Sequence, residues 1–170
     1  AQQLLHKPFD KNGQTAAKGT PDTALVRRLL RQAYFVQKPP KSLDKNTFGQ
    51  AYLDKYFPPK RFACAADCLA TLTYFTAAVA RAVTDFVPKT CQKELVVSGG
   101  GCYNKTLLTY LQELLPHVKI TTTLSYGIDP QAKESAAFAL FAWLALHKHT
   151  NHCPRATGAS RATILGKISL

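Results

Sequence analysis

Apolar residues recur every three to four positions through most of this chain, and the period changes at two short runs where they become nearly continuous. Residues 1–19 read as a short helix, a turn at Phe9-Asp10-Lys11-Asn12-Gly13 and a second short helical piece. Thr20-Pro21-Asp22 opens a helix expected to run through Ala33, with Leu25, Leu29 and Leu30 inward and Arg27, Arg28 and Arg31 outward. Lys38-Pro39-Pro40-Lys41-Ser42 is expected to be extended, because consecutive prolines exclude helix. Thr47 to Tyr56 reads as a helix closed by Pro58-Pro59. A longer helix is predicted from Asp67 to Phe86, burying Leu69, Leu72, Phe75, Val79, Ala82 and Val83. The last long helix is predicted from Pro130 to about Leu146. Its Ala136, Phe138, Leu140, Phe141, Trp143 and Leu144 are apolar enough to predict substantial burial, with Trp143 in the core.

The near-continuous runs predict strands at Leu95–Ser98 and Val118–Thr121, with a helix at Tyr103–Leu115 between them. Ala162 to Ile168 reads as a closing strand. Two strand-then-helix units with short connections predict an α/β fold that is unusually rich in helix. The 170 residues suffice for one domain with a real core, and they contain no internal repeat or low-complexity tract.

Between the first strand and its helix stands Val97-Ser98-Gly99-Gly100-Gly101-Cys102-Tyr103-Asn104, the most informative stretch of the chain. Strand, glycine turn and helix together let a nucleotide lie against bare backbone, since glycine has no Cβ to block the approach. The start of the helix adds unpaired N–H groups for an anion or a polar sugar. The spacing is not the G-x-G-x-x-G of a dinucleotide site, nor is it a P-loop, which needs a following Lys-Ser or Lys-Thr. A tight turn with no ligand remains the competing reading.

Composition narrows the classes. The net charge is +12, and residues 1–61 hold 12 Lys+Arg against 4 Asp, a net +8. That excess could serve nucleic acid or another anion, but the basic residues lack aromatic interleaving, so a solvated surface is the better reading. The sequence predicts neither a membrane span nor a secretory signal. Cys64, Cys68, Cys91, Cys102 and Cys153 are odd in number and irregular in spacing, which favours free thiols in a reducing compartment. Cys64 and Cys68 stand one helical turn apart, as on a packed face. His147, His149, His152 and Cys153 cluster, but their spacing fits no structural zinc pattern, and no metal ligand is assigned. The chain contains no methionine and starts at Ala1, which favours a piece of a longer protein.

Read together, these motifs resemble the adenosine-binding segment of the sugar kinase, actin and heat-shock chaperone superfamily, carried by Val97-Ser98-Gly99-Gly100-Gly101 with Asn104. Five further stretches resemble one family within it, anhydro-N-acetylmuramic acid kinase. They are Lys38-Pro39-Pro40-Lys41-Ser42, then Asp67 with Ala70-Thr71-Leu72 and Thr76-Ala77, and Thr121-Thr122-Thr123. Ala132-Lys133-Glu134 with Phe138-Ala139, and Thr157-Gly158-Ala159-Ser160, complete the set, so the resemblance covers essentially the whole chain.

The resemblance implies the carboxyl-terminal lobe of a two-lobed, ribonuclease-H-like (actin-like ATPase) kinase, with residues 1–170 as a single nucleotide-binding lobe. It implies ATP and magnesium as cofactors and an anhydro amino sugar as substrate, in the bacterial cytoplasm. Such enzymes open the anhydro bridge with water and phosphorylate the product to N-acetylmuramic acid 6-phosphate, which requires a carboxylate base and a grip on the phosphates. The family's Gly/Ser/Thr-rich phosphate loop and its Asp-Thr-Gly-Pro-Gly-Asn-type segment do not occur here. The catalytic base is therefore expected upstream of Ala1, on an amino-terminal lobe that acts as partner, and the 170 residues alone are expected to be inactive. A homodimer stays open.

Within this chain the resemblance assigns Gly99, Gly100, Gly101 and Asn104 to the nucleotide; Asn104 reads equally well as the cap of the following helix. Glu134 is a cleft candidate, set against a simple helix-dipole role. Lys41 and Ser42 are substrate candidates, set against a solvated loop. Asp10 reads as a turn residue and not as the base. The alternative function is a basic, non-enzymatic module for nucleic acid or another polyanion.

Overall fold

The computed structural model describes residues 1–41, 43, 47–88 and 90–166. Its first helix, α1, is a single turn at Gln2–Leu5. The turn that follows is built around Asp10, whose carboxylate accepts hydrogen bonds from the N–H groups of Thr15 and Ala16, both at 2.9 Å. Asp10 is thus a turn residue, as its context predicts.

Helix α2 spans Thr23–Leu29 and starts where Asp22 Oδ1 accepts the Leu25 N–H at 2.8 Å. The single helix expected from Thr20 to Ala33 is broken. Gln32 is extended, and a separate turn, α3, follows at Ala33–Val36. The break lets Phe35 sink inward and meet Phe75 edge-on, at 5.7 Å between ring centroids. Burying an aromatic ring outweighs the few helical hydrogen bonds given up. The chain bends at Pro39 and Pro40, so residues 38–41 are not the extended run expected, and Ser42 lies outside the described residues. Helix α4 covers Gln50–Tyr56, starting late because Gly49 is extended.

Helix α5, Ala65–Val83, organises the molecule. Its Cys68 joins Leu25, Leu29 and Phe57 in one core cluster, with Leu72 and Phe75 packed against it. Further along, Ala77 joins Leu111 and Leu115 in a second cluster. The predicted stripe is displaced by this double duty: Ala70, Thr71, Ala77 and Ala78 are buried while Val83 is exposed. Small residues occupy the closest approaches. At Gly19 an added Cβ would collide with the backbone of Ala66, so only glycine lets that segment lie on α5. Cys64 and Cys68 do not share a packed face, because Cys64 is the exposed residue before the helix and only Cys68 is buried.

Strands β1, Glu94–Val97, and β2, Lys119–Thr122, pair in parallel, with Glu94 opposite Lys119 and Val97 opposite Thr122. A parallel pair needs a crossover, and helix α6, Lys105–Leu114, supplies it. Leu107 and Leu111 on α6 and Leu115 just beyond it pack with Leu95, Val97 and Ile120 of the sheet. A helix-rich α/β architecture is therefore observed, with a two-stranded parallel sheet among the described residues.

Two expectations fail near the end of the chain. Helix α7, Lys133–Leu146, buries none of its residues; Phe138 is 71% exposed and Trp143 52%. The helix is apolar on every side, so its composition signals a demand for burial that no described element meets. Trp143 is not core; it stacks on His147 with ring centroids 4.2 Å apart. After the one-turn helix α8, Pro154–Thr157, residues 162–166 form no strand, and the rest of the expected closing strand lies outside the described residues. The Asn151 side chain takes the place of a strand partner here. It accepts the Leu165 N–H and donates to the Leu165 carbonyl, both at 2.7 Å.

Candidate functional site

The chain leaves β1 through Ser98 into Gly99, whose φ of 71° is a conformation that side chains rarely adopt. The Gly99 N–H donates to the Pro130 carbonyl at 2.8 Å, which ties the glycine turn to the segment before α7. Residues Gly100–Tyr103 then form one 3-10 turn, and Asn104 opens α6.

Asn104 Oδ1 accepts the Leu107 N–H at 3.0 Å, so this side chain caps the helix. Thr106 Oγ1 donates to the Gly13 carbonyl at 2.8 Å, and Gly13 sits directly against the side chains of Asn104 and Thr106. The start of α6 is therefore closed by a cap and by the 10–13 turn. One of the amides expected there for a ligand, the Leu107 N–H, is therefore taken by the cap.

The opening lies on the other side of the turn. A cavity of about 370 Å³ is lined by Ser98, Gly99, Gly100, Pro130, Gln131, Lys133 and Glu134. It stands at the carboxyl end of β1, the edge at which parallel sheets receive ligands. A Cβ added to Gly99 or Gly100 would meet nothing within 4 Å, whereas one on Gly101 would touch Leu107 Cδ2 at 3.6 Å. Gly99 and Gly100 thus present bare backbone to the cavity, and Gly101 faces α6. Gly100 does not share the positive φ of Gly99.

Glu134 stands in the first turn of α7, where its charge also suits the helix dipole. The fold brings it to the same cavity as the two glycines, 35 and 34 positions earlier in the chain. Ser98 and Lys133 belong to stretches that carry the resemblance but were not assigned to the site, and Pro130 and Gln131 were not singled out from the sequence. Lys133 was within reach as the neighbour of Glu134, but the role of Pro130 depends on a long-range backbone bond that no local pattern signals.

Lys41 is not brought to this cavity. Its Nζ donates to the carbonyls of Tyr34 at 2.9 Å and Phe35 at 3.3 Å, and lies 4.9 Å from the ring centroids of both Tyr34 and Phe86. Neither a free substrate contact nor a solvated lysine describes it; the amine holds the end of α3 together. Ser42 lies outside the described residues. Among the described residues no three His, Cys, Asp or Glu side chains gather as a metal site. His152 Nδ1 pairs with the Thr163 carbonyl at 3.0 Å, away from the His147–Trp143 stack. The five cysteines are free thiols.

A cluster of bonds to one carboxylate stands at the far end of β1 from the glycine turn. Glu94 accepts hydrogen bonds from Tyr126 OH at 2.5 Å and Thr121 Oγ1 at 2.9 Å, and pairs with Lys119 Nζ at 3.1 Å. These donors, Tyr126 foremost, hold the Glu94 carboxyl below its ordinary range. The same contacts push the Tyr126 hydroxyl and the Lys119 amine upward, the bond to Glu94 being the main cause for each. A second hollow, of about 290 Å³, lies over the first core cluster among Leu4, Leu53, Phe57, Cys68 and Leu72. Burial pushes the Cys68 thiol up, away from reactivity. No helix among the described residues is long and apolar enough to cross a membrane.

Comparison with known proteins bears on the whole chain. The family model for anhydro-N-acetylmuramic acid kinase matches residues 1–170. An anhydro-N-acetylmuramic acid kinase of Salinibacter ruber is 40% identical over all of this chain and 44% of the relative. Those of Clostridioides difficile and Francisella tularensis subsp. novicida are 36% and 39% identical, over 99% and 98% of this chain. In both cases 44% of the relative is covered, so the chain spans less than half the length of these curated relatives. The match runs through the glycine turn, the α7 start that faces it and the elements that carry both, and by it this chain belongs to the anhydro-N-acetylmuramic acid kinase family.

Proposed function

We propose that this chain is the carboxyl-terminal, nucleotide-binding lobe of an ATP-dependent kinase with an actin-like two-lobed fold, acting in the bacterial cytoplasm. The complete enzyme opens the anhydro bridge of 1,6-anhydro-N-acetylmuramic acid with water and phosphorylates the sugar to N-acetylmuramic acid 6-phosphate. The observation that carries this reading is the empty space over Gly99 and Gly100, facing Gln131, Lys133 and Glu134 across one cavity.

In this reading the backbone of Gly99 and Gly100 receives the flat adenosine, because no Cβ stands in the way. Gln131 and Glu134 offer polar groups to the ribose or base from the opposite wall, and Lys133 offers a charge to the phosphates. Asn104 and Gly101 serve indirectly, by fixing the turn on α6. ATP supplies the phosphoryl group. The cavity contributes a single carboxylate, Glu134, so its residues alone do not make a magnesium site. The base that activates water and the loop that grips the β- and γ-phosphates belong to the remaining length of the relatives.

Two measurements test the reading. Gly100→Val in the complete enzyme fills open space without a backbone conflict, so the KM for ATP is expected to rise about tenfold, roughly 1.4 kcal/mol, with the sugar KM changed much less. A lower melting temperature with an unchanged ATP constant would reduce the glycines to a turn. The 170 residues alone are expected to release no ADP in the presence of anhydro sugar, and sugar-dependent turnover well above blank would refute the division of labour.

A further inference from the structure

The wall of the cavity opposite the glycines is carried by an unusual connector. Between β2 and α7 the chain makes a 3-10 turn at Thr123–Tyr126, reverses at Gly127, and reaches Pro130. Residues 124–129 are all exposed, and Pro130 is the first buried residue after them. No buried side chain therefore anchors this stretch, although Ile128 is partly covered. Its internal bonds, Gly127 N–H to the Leu124 carbonyl at 3.0 Å and Ile128 N–H to the Thr123 carbonyl at 3.1 Å, shape the turn without anchoring it to anything else.

Two ties fasten the connector to β1. At its far end the Pro130 carbonyl accepts the Gly99 N–H at 2.8 Å, a bond inside the cavity wall itself. At its near end Tyr126 reaches back over β2 to Glu94, at the opposite end of β1 from Gly99. The Glu94 carboxylate is fixed for this purpose: Oε1 is taken by Thr121 and Lys119, leaving Oε2 for Tyr126. A charged acceptor makes that last bond stronger than a neutral pair would be.

We propose that Glu94 and Tyr126 are a positioning pair for the nucleotide site: through Tyr126, Glu94 sets where the connector runs and hence where Pro130, Gln131, Lys133 and Glu134 stand relative to Gly99 and Gly100. The proposal rests on the nucleotide reading of that cavity. Neither residue touches the cavity, so the pair affects binding only through the wall it holds. Lys119 binds the same carboxylate from β2 through Oε1, so it helps to orient Glu94 without bonding to the connector itself.

The test is a double-mutant cycle in the complete enzyme. Tyr126→Phe keeps the ring and removes the hydroxyl; Glu94→Ala removes the acceptor. Each is expected to raise the KM for ATP about five-fold, less than the full weight of a hydrogen bond to a charged group because the pair acts only through the wall, with kcat within about two-fold of wild type. The double variant is expected to be no worse than either single one, and Lys119→Ala, which leaves the Tyr126 bond in place, to raise the KM for ATP less than either. A purely structural bond would instead lower the melting temperature of Tyr126→Phe and Glu94→Ala while leaving KM alone, and that result overturns the proposal. Additive effects overturn it as well. Gly100→Val separates the two layers. If it raises the KM for ATP and the pair does not, the positioning role falls and the nucleotide reading stands. If neither it nor the pair alters that constant, the nucleotide reading falls and takes the pair with it.

Discussion

Helices α5 and α7 are both long and mainly apolar, yet one is the centre of the molecule and the other lies bare on its surface. On α5 the apolar residues divide between two faces, and each face finds a partner: α2 and Phe57 on one, α6 and the sheet on the other. On α7 they surround the helix, and among the described residues none of them is buried. Apolar content alone states that a helix needs cover, whereas its distribution states from how many directions the cover comes. The helix starts differ as well. Asp22 caps α2 and Asn104 caps α6, but no side chain caps α7, whose first turn lines the cavity. Helix α5, which carries the core, also starts without a side-chain cap, so what sets the α7 start apart is that its first turn lines the cavity.

The sharpest way to break this contrast is to cut into both helical environments. Leu29, only 1% exposed in the cluster beneath α5, is expected to cost about 2–5 kcal/mol as Leu29→Ala, read by denaturant unfolding. Phe138→Ser on α7 is expected to change stability by no more than about 0.5 kcal/mol. A loss at Phe138 as large as that at Leu29 would mean that α7 is covered in solution. Thr71 tests the polar side of the same core. Its hydroxyl donates to the Asp67 carbonyl at 2.7 Å and accepts the Asp22 N–H at 3.0 Å, so Thr71→Val should cost about 1–3 kcal/mol by leaving that N–H unpaired. Ser135→Ala on exposed α7 is the matched control, with little change expected.

Elements whose signal is local were legible from the sequence. Both strands, α6, the body of α5 and the turn at Asp10 stand within a few residues of where periodicity and turn chemistry put them. Failures came where a distant contact decides. Phe35 breaks the helix expected through Ala33 by packing on Phe75, and the Asn151 amide replaces the strand partner that residues 162–166 were expected to find. The site divides in the same way. A run of three glycines was visible, but not that Gly101 turns to Leu107 while Gly99 and Gly100 open outward. Glu134 was visible as a first-turn acid, but its place opposite those glycines rests on the Gly99–Pro130 bond. Lys41 was the converse case, a residue in a suggestive context whose charge is absorbed by two carbonyls and two rings.

A smaller effect separates cap from ligand contact at Asn104. Asn104→Ala is expected to cost about 1 kcal/mol of stability, and Asn104→Asp to restore it, since either side-chain oxygen can accept the Leu107 N–H. If the KM for ATP follows the loss and fails to return with Asp, the residue touches nucleotide as well as capping α6.

The smallest effect is a pH dependence that the capped α2 should have. The Asp22 carboxyl is held below its ordinary value, first by the Leu25 N–H and further by Arg61, whose guanidinium lies 3.0 Å away. A carboxyl lowered in the folded state stabilises it when ionised. That contribution is fully present above the unfolded value of 3.8 and is lost as pH falls through the lower, folded value. Asp22→Asn keeps a capping oxygen and removes the charge, so the gap in melting temperature between wild type and variant isolates the ionic part. It should be constant above about pH 5 and shrink on acidification, and it should be small because the pair is partly solvated. A gap that does not change with pH would show that Asp22 holds α2 by hydrogen-bond geometry alone. The difference between capped and uncapped helix starts would then be one of shape, with charge playing no part.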